Sequence, residues 1–533
     1  MRYVSSRGAS ASVSFEEAIG SGYAADGGLY VPETLPPITA DDLEAWNNLD
    51  FPALAVEVLR PFVAGEIPDA DLETLLAACY GDFLAPEKIP VVPLATAPRV
   101  AVAELFYGPT FCFKDLGLQV LVRFLSYFAA KRGERRTILV ATTGDTGPAA
   151  LRAAADVDDA SLRVVCCFPE GQVSALQRRQ MTTHGSSSVR VATFEGGGDD
   201  MDEPIRRMGL DADFASAHGL CGANSYNVGR PLAQMVHYVW IWLRCRASFG
   251  AGAAPFVLDV VVPTGAMGNL AAATLAKRRG LPLGALCAGT NANDISCRAI
   301  NDGDFSRAPE MKKTLSDAIN IQRPYNFERV FYYATGGDAS KTGAAMAAGD
   351  FRVDAATRGA LRDGGYRAAR VDDGAMLAAL RAFRDAHGYV CDPHTAVAVA
   401  AADELGYAPY GGPAAEPRPV AILATAHPCK FQAAVTEALG ADAWAAYEAS
   451  AAFPEAAREL AGRAEVAPLA LSRRAGESLG AAQRRWETVL RAVLEDPDGL
   501  HYVESVCHLD DGDDDDPAAD EPPAVADSSC AIL

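Results

Sequence analysis

The sequence predicts an α/β protein with parallel or mostly parallel sheets covered by helices. The chief observation is a recurring unit: a short apolar run, a Gly/Thr-rich turn, then a small-residue helical pattern. "TILVAT" (137–142) leads into "TGDTGPAALRAAA", and "FVLDVVVPTG" into "AMGNLAAATLAKRRG". "SLRVVCCFPEG", "LGALCAGT" and "PVAILATA" supply further strands, and strand–loop–helix repetition is the signature of parallel sheets with helices on their faces. The chain has 533 residues, half of them hydrophobic, enough for two to four domains and a large core.

Residues 1–90 carry helical patterns, "DDLEAWNNLDFPALAVEVLRPFV" and "DADLETLLAACYGDFL", and form an N-terminal domain. A proline-bearing connector, "APEKIPVVPLATAPRV", leads into the strand–helix region, which spans 91–450 as two α/β lobes. "YAPYGGPAAEPRP" (407–419) reads as an exposed loop. Residues 451–508 are rich in Ala, Glu, Arg and Leu and read as a C-terminal helical segment. Residues 509–533 read as a disordered acidic tail.

That tail contains nine acids and no Lys or Arg, so it supplies −9 of the net charge of −22. The balance argues against nucleic-acid binding by bulk electrostatics, while leaving room for an anionic small molecule at a local cluster or helix N-terminus. No apolar run reaches the length of a membrane span, and the N-terminus lacks the apolar core of a signal peptide. Glu16 and Glu17 weaken a transit-peptide reading, so a cytoplasmic protein is expected. The twelve cysteines show no C-x-x-C spacing and read as small core residues in a reducing compartment. A metal site is not expected, because H-E-x-x-H is absent and the eight histidines lie far apart. The chain ends Cys530-Ala531-Ile532-Leu533, which fits a prenylation box. The flanking residues are acidic and one lipid anchors weakly, so no stable membrane association is expected.

Lys114 stands out. In "PTFCFKDLGLQVL" (109–121) it is surrounded by Phe111, Phe113, Leu116 and Leu118. A buried ammonium is costly. Lys114 either pairs with Asp115, reaches past its neighbours to water, or is kept neutral as a nucleophile toward a carbonyl. Four other stretches could form a site. "TTGDTG" (Thr142, Thr143, Gly144, Asp145, Thr146, Gly147) ends a strand and begins a helix, so its amides and hydroxyls suit a carboxylate or simply cap the helix. "PTGAMGN" has Gly265 and Gly268, which let a phosphate approach the backbone, or make a plain turn. It is neither a Walker loop nor G-x-G-x-x-G. "NSYNVGR" gathers Asn224, Ser225, Asn227 and Arg230, donors suited to phosphate or to capping. "ILATAHPCKF" places Thr425 at a strand end, with His427 and Lys430 beyond it. His394 and Thr395 read as a helix entry with possible site contact.

Taken together and in order, these stretches resemble the threonine synthase family. The opening "YVSSRG…SFEEAIGSGYAADGGLYVPE", the lysine motif, "TTGDTG", "NSYNVGR", "VVPTGAMGN", "IQRPYNFERV" and "ATAHPCKF" each have a counterpart, from residue 1 to roughly 440. The resemblance implies a fold-type-II pyridoxal-phosphate enzyme with an N-terminal threonine-synthase domain. It implies that Lys114 bears the cofactor, tuned by apolar surroundings and Asp115. Gly265, Ala266, Met267, Gly268 and Asn269 would cradle the cofactor phosphate, and Thr425 would face its ring nitrogen. Thr142, Thr143, Gly144, Asp145 and Thr146 would hold a substrate carboxylate, and Asn224, Ser225, Asn227 and Arg230 would lie toward a substrate phosphate. The implied reaction converts O-phosphohomoserine and water to threonine and phosphate. Thr143 stands where the family usually has Ser, and Ala266 and Met267 where many members have Asn and Phe. These details, with "QMTTHG" and "DMDEPIRR", resemble the animal threonine-synthase-like proteins, which implies an alternative: a phospho-lyase giving 2-oxobutyrate, ammonia and phosphate. A non-catalytic ligand-binding relative is the alternative of another class.

Overall fold

Two parallel-rich sheets organise the chain. In the computed structural model, residues 1–184, 189–250 and 255–495 are described. The larger sheet has six strands in the order Tyr366–Arg370, Leu283–Thr290, Leu258–Pro263, Val420–Ala424, Ala97–Glu104 and Val91–Leu94. All its neighbours are parallel except the last pair, which is antiparallel. The second sheet has five parallel strands in the order Leu469–Leu471, Val189–Phe194, Leu162–Pro169, Arg136–Ala141 and Leu220–Gly222.

The strands of the sheet centres are buried along their whole length. Leu258–Pro263 and Val420–Ala424 expose none of their residues, as expected of strands covered on both faces. Helix Gly229–Phe249 occupies the middle of the molecule. It packs against helices Lys114–Arg132, Gly268–Arg278 and Phe51–Val63, which explains why its apolar residues run all round it. Among the described residues no helix is long and apolar enough to cross a membrane.

Two expectations change. The connector at 85–100 is not plain loop, because Val91–Leu94 pairs antiparallel with Ala97–Glu104 at the sheet edge. Pro93 is tolerated there because an edge strand has one side free of ladder bonds. Nor is 451–508 wholly helical. Leu469–Leu471 adds an edge strand to the five-stranded sheet, and helix Leu479–Glu495 then covers that sheet through the fully buried Trp486. The stretch 509–533 and the Cys530 box lie outside the described residues.

Candidate active site

The site lies where strands of both sheets end at their carboxyl edges, the position in which parallel α/β sheets present loops to ligands. Lys114 is the first residue of helix Lys114–Arg132. The chain reaches it through Phe111, whose backbone is left-handed (φ 62°). The segment is stitched to the one carrying Thr425. Phe113 N–H donates to Thr425 O at 2.8 Å, His427 N–H donates to Phe111 O at 3.0 Å, and Cys112 bridges Ala426.

Strand Leu258–Pro263 ends in the loop that opens helix Gly268–Arg278. Met267 there is also left-handed (φ 60°), and Gly268 turns the first free amides of the helix toward the site. The loop has no room for side chains at its glycines. A Cβ on Gly268 would lie 2.8 Å from Ser225 Cβ, and one on Gly265 2.9 Å from Ile319 Cα. Asn269 Oδ1 accepts from Tyr238 Oη at 2.7 Å and pairs with His237 Nε2 at 2.9 Å. Its buried Nδ2 is left without a protein partner.

One cavity brings together Lys114, Thr142, Thr143, Asp145 and Thr146. It also holds Asn224, Ser225 and Arg230, the whole loop Gly265–Asn269, and Thr425. Two expected residues do not reach it. Asn227 spends its side chain on backbone: Nδ2 donates to Ile19 O and Gly222 O, and Oδ1 accepts from Gly229 N–H. It ties the N-terminal region to the central helix. Gly144 (φ 133°) lies behind the cavity wall, where a Cβ would meet the Gln177 amide at 2.6 Å.

Asp115 does not tune Lys114 as expected. Its carboxylate turns back to Thr110, accepting from the amide at 2.9 Å and the hydroxyl at 2.7 Å, and burial raises it to about 6. The acid that acts on Lys114 is Asp145, which is itself held far below the usual carboxylate range by Lys430, Lys114 and His394 despite its burial. Burial pushes the Lys114 amine below its ordinary value.

Arg230 Nη1 donates to Ala223 O at 2.7 Å, its Nε has no partner, and it forms no ion pair among the described residues. Burial lowers the guanidinium to about 10. Asn326 links the two loops at its side, donating from Nδ2 to Ser225 Oγ at 3.0 Å and Ala266 O at 3.2 Å.

Several cavity residues carry no mark in the sequence reading. Gln234 follows Arg230 by one helical turn, a spacing that could have found it. Asp199 comes from the glycine-rich loop after Val189–Phe194, and Asp202, within the "DMDEPIRR" stretch but not singled out there, begins helix Asp202–Leu210. Burial raises both, Asp199 to about 6, and Asp202 accepts from the Tyr325 hydroxyl. His394 does line the cavity. His427 stays outside it as a structural residue, lowered by burial to about 4.

The residues fit pyridoxal phosphate. A half-buried amine biased toward neutrality suits its aldehyde, and the side-chain-free loop at a helix N-terminus, with the unpartnered Asn269 amide, suits its phosphate. Fold and site thus define a pyridoxal-phosphate-dependent enzyme of fold type II. The family model for pyridoxal-phosphate dependent enzymes matches residues 89–423, that for the threonine synthase N terminus 2–80, and that for the threonine synthase C-terminal region 395–468. The chain belongs to the threonine synthase family. It is 36% identical to threonine synthase from Pseudomonas aeruginosa over 82% of this chain and 90% of that one. It is 40% identical to threonine synthase-like 2 from Homo sapiens over 65% of this chain and 70% of the relative. The solved structure of pyridoxal-phosphate-bound threonine synthase from Brucella melitensis superposes with a TM-score of 0.79 at 35% identity, covering 92% of this chain and 99% of that one.

Proposed function

We propose that this chain is a threonine synthase, converting O-phosphohomoserine and water to threonine and phosphate. The observation that carries the reading is Arg230: a buried guanidinium with an unpartnered Nε, in the same cavity as Lys114 and with no carboxylate paired to it among the described residues. Asp115 and Cys112 favour its charge only from a distance, and a buried cation without a direct ion pair favours an anionic ligand. A phosphorylated amino acid supplies that anion.

Bound pyridoxal phosphate would supply the electron sink that makes the proton on the amino-bearing carbon, and then one on its neighbour, removable. Lys114 would bear the cofactor, and its free amine would move protons at the substrate's Cα and Cβ. Gly265–Asn269 would hold the cofactor phosphate, with Asn269 Nδ2 as one donor, and the Thr425 hydroxyl would serve the ring nitrogen. The hydroxyls of Thr142, Thr143 and Thr146 and the amides beside them hold the α-carboxylate. Asn224, Ser225 and Arg230 hold the substrate phosphate until it leaves Cγ, and Asn326 orients the Ser225 hydroxyl. Ile319, Ile321 and Tyr325 wall the cavity against bulk water.

A second reading is a phospho-lyase that releases 2-oxobutyrate, ammonia and phosphate from the same substrate. The 40% identity to threonine synthase-like 2 favours it. Both readings use the same residues and differ in whether water is added before release. Incubating purified protein, pyridoxal phosphate and O-phosphohomoserine, with phosphate, threonine and 2-oxobutyrate quantified together, separates them. Threonine equal to phosphate supports the synthase. Oxobutyrate equal to phosphate supports the lyase. Release of neither contradicts both.

A further inference from the structure

Two lysines, Lys430 fully buried and Lys114 half-buried, lie near one carboxylate. Lys430 Nζ lies 2.6 Å from Asp145 Oδ1 and 3.0 Å from Thr110 O, and its side chain is 0% exposed. Gln177 Nε2 donates to the same Asp145 oxygen at 2.9 Å. Gln177 is itself fixed by a reciprocal cap with Ser174, and the missing side chain at Gly144 lets it approach. Lys114 lies in the same cavity, and Asp145 is the leading group that favours its charge. Cys112 acts in the same sense, while Arg230 and Lys430 oppose it. His394 adds a further cationic influence on Asp145.

Two ammonium groups against one carboxylate in a buried site leave one charge uncompensated, and such a charge is costly. The local backbone decides which lysine gives way. Lys114 is the first residue of a helix of 19 residues, at the positive end of its dipole, where a cation is disfavoured. Asp145 stands at the N-cap of helix Thr146–Val157, where an anion is favoured. Lys430 makes the direct contact with it.

We propose that Lys430 is a positioning residue for Lys114: it is the standing counter-cation of Asp145, so that this carboxylate does not hold Lys114 as an ammonium and the Lys114 amine stays uncharged for attack on the cofactor aldehyde. This rests on Lys114 being the cofactor-bearing lysine. The directions of the three groups agree. Lys430 is raised and Asp145 lowered against their burial, and Lys114 is lowered.

The test is a pH titration of the visible absorbance of the bound cofactor in the full chain. Lys430→Met frees the Asp145 carboxylate to hold a proton on the Lys114 nitrogen, and the midpoint is expected to rise by about one unit or more. Lys430→Arg keeps the counter-cation and is expected to keep the wild-type midpoint. An unchanged or lowered midpoint in Lys430→Met overturns the proposal. Should that variant not fold, Lys430→Met/Asp145→Asn removes the pair as a neutral unit, and its midpoint is expected near the wild-type value. A fall of about one unit or more there would mean that Asp145 had been holding Lys114 all along, and overturns it too. If Lys114→Ala retains the visible band, the premise about Lys114 fails instead, which is a separate result.

Discussion

Phe113 N–H donates to the carbonyl of Thr425 at 2.8 Å. This one backbone bond joins the residue before Lys114 to the residue expected to face the cofactor ring nitrogen, across 312 positions of sequence. The positions of Lys114 and Thr425 relative to each other are thus set by main chain and not by mobile side chains. A Thr425→Val variant keeps this bond and the shape while removing the hydroxyl. Turnover is expected to fall about tenfold or more, the worth of a buried hydrogen bond of ~1.5 kcal/mol, whereas Thr425→Ser retains most of it. Steady-state kinetics with saturating cofactor make the comparison.

Gly268→Ala tests the cradle. The added Cβ meets Ser225 Cβ at 2.8 Å, so the loop must shift at a cost of ~1–3 kcal/mol. Cofactor affinity, followed by fluorescence on dilution or dialysis, is expected to fall by about tenfold to a hundredfold. Wild-type affinity in this variant would contradict the assignment of the loop.

Asn326→Ala removes the ties to Ser225 and Ala266 and leaves Arg329 without an acceptor 2.6 Å from its Nη1. Arg329 is 1% exposed, so water does not replace that acceptor. A loss of ~1–3 kcal/mol in unfolding free energy is expected. The Michaelis constant for the phosphorylated substrate is expected to rise as Ser225 loses its orientation. Urea unfolding and kinetics on the same preparation check both.

His394 makes stability depend on pH. Burial pushes its imidazole down, but Asp392, 2.8 Å from Nδ1, and Asp317, 3.6 Å from Nε2, outweigh this and raise it to about 9. A group raised above its unfolded value of 6.5 contributes in full below that pH, and the contribution is lost as pH climbs through about 9. The wild type is expected to lose on the order of 3 kcal/mol across this window. Only the neutral ring, with its proton on Nδ1, can accept from Ala318 N–H at Nε2 (3.1 Å), and this bond offsets part of the loss. In Asp317→Asn the fall is expected to be smaller. Parallel pH profiles of unfolding for the two proteins would contradict the assignment.

The fold class and the frame of the site are legible in the sequence because both rest on local pattern. An apolar run that stops at Gly265 and Gly268, or at Thr425, marks the end of a buried strand, and ligand loops of parallel sheets sit there. What local pattern does not carry is which partner a side chain chooses across the fold. Asp115 is adjacent to Lys114 in sequence. Successive helical positions diverge by roughly 100°, so it faces Thr110 while Asp145, from the other lobe, acts on the amine. Asn227 sits inside a donor-rich motif but is consumed by backbone carbonyls, one of them from Ile19. Gln177 reaches Asp145 from the next strand–helix unit of the same sheet, and Lys430 meets it only when the two sheets close on one another. The edge strands Val91–Leu94 and Leu469–Leu471 are too short for their periodicity to register; the first folds back on the next strand, Ala97–Glu104, and the second pairs with Val189–Phe194, far along the chain.

Lys114 and Lys430 both lie near Asp145, and the account stands on Lys114 being the nucleophile. The most direct measurement is to reduce the cofactor-loaded protein with borohydride, digest it and locate the pyridoxyl group by peptide mass spectrometry. The expected result is a single label on Lys114, with Lys430 unmodified and the label absent from Lys114→Ala. A label on Lys430, or none on either lysine in protein that holds the cofactor, would contradict the account.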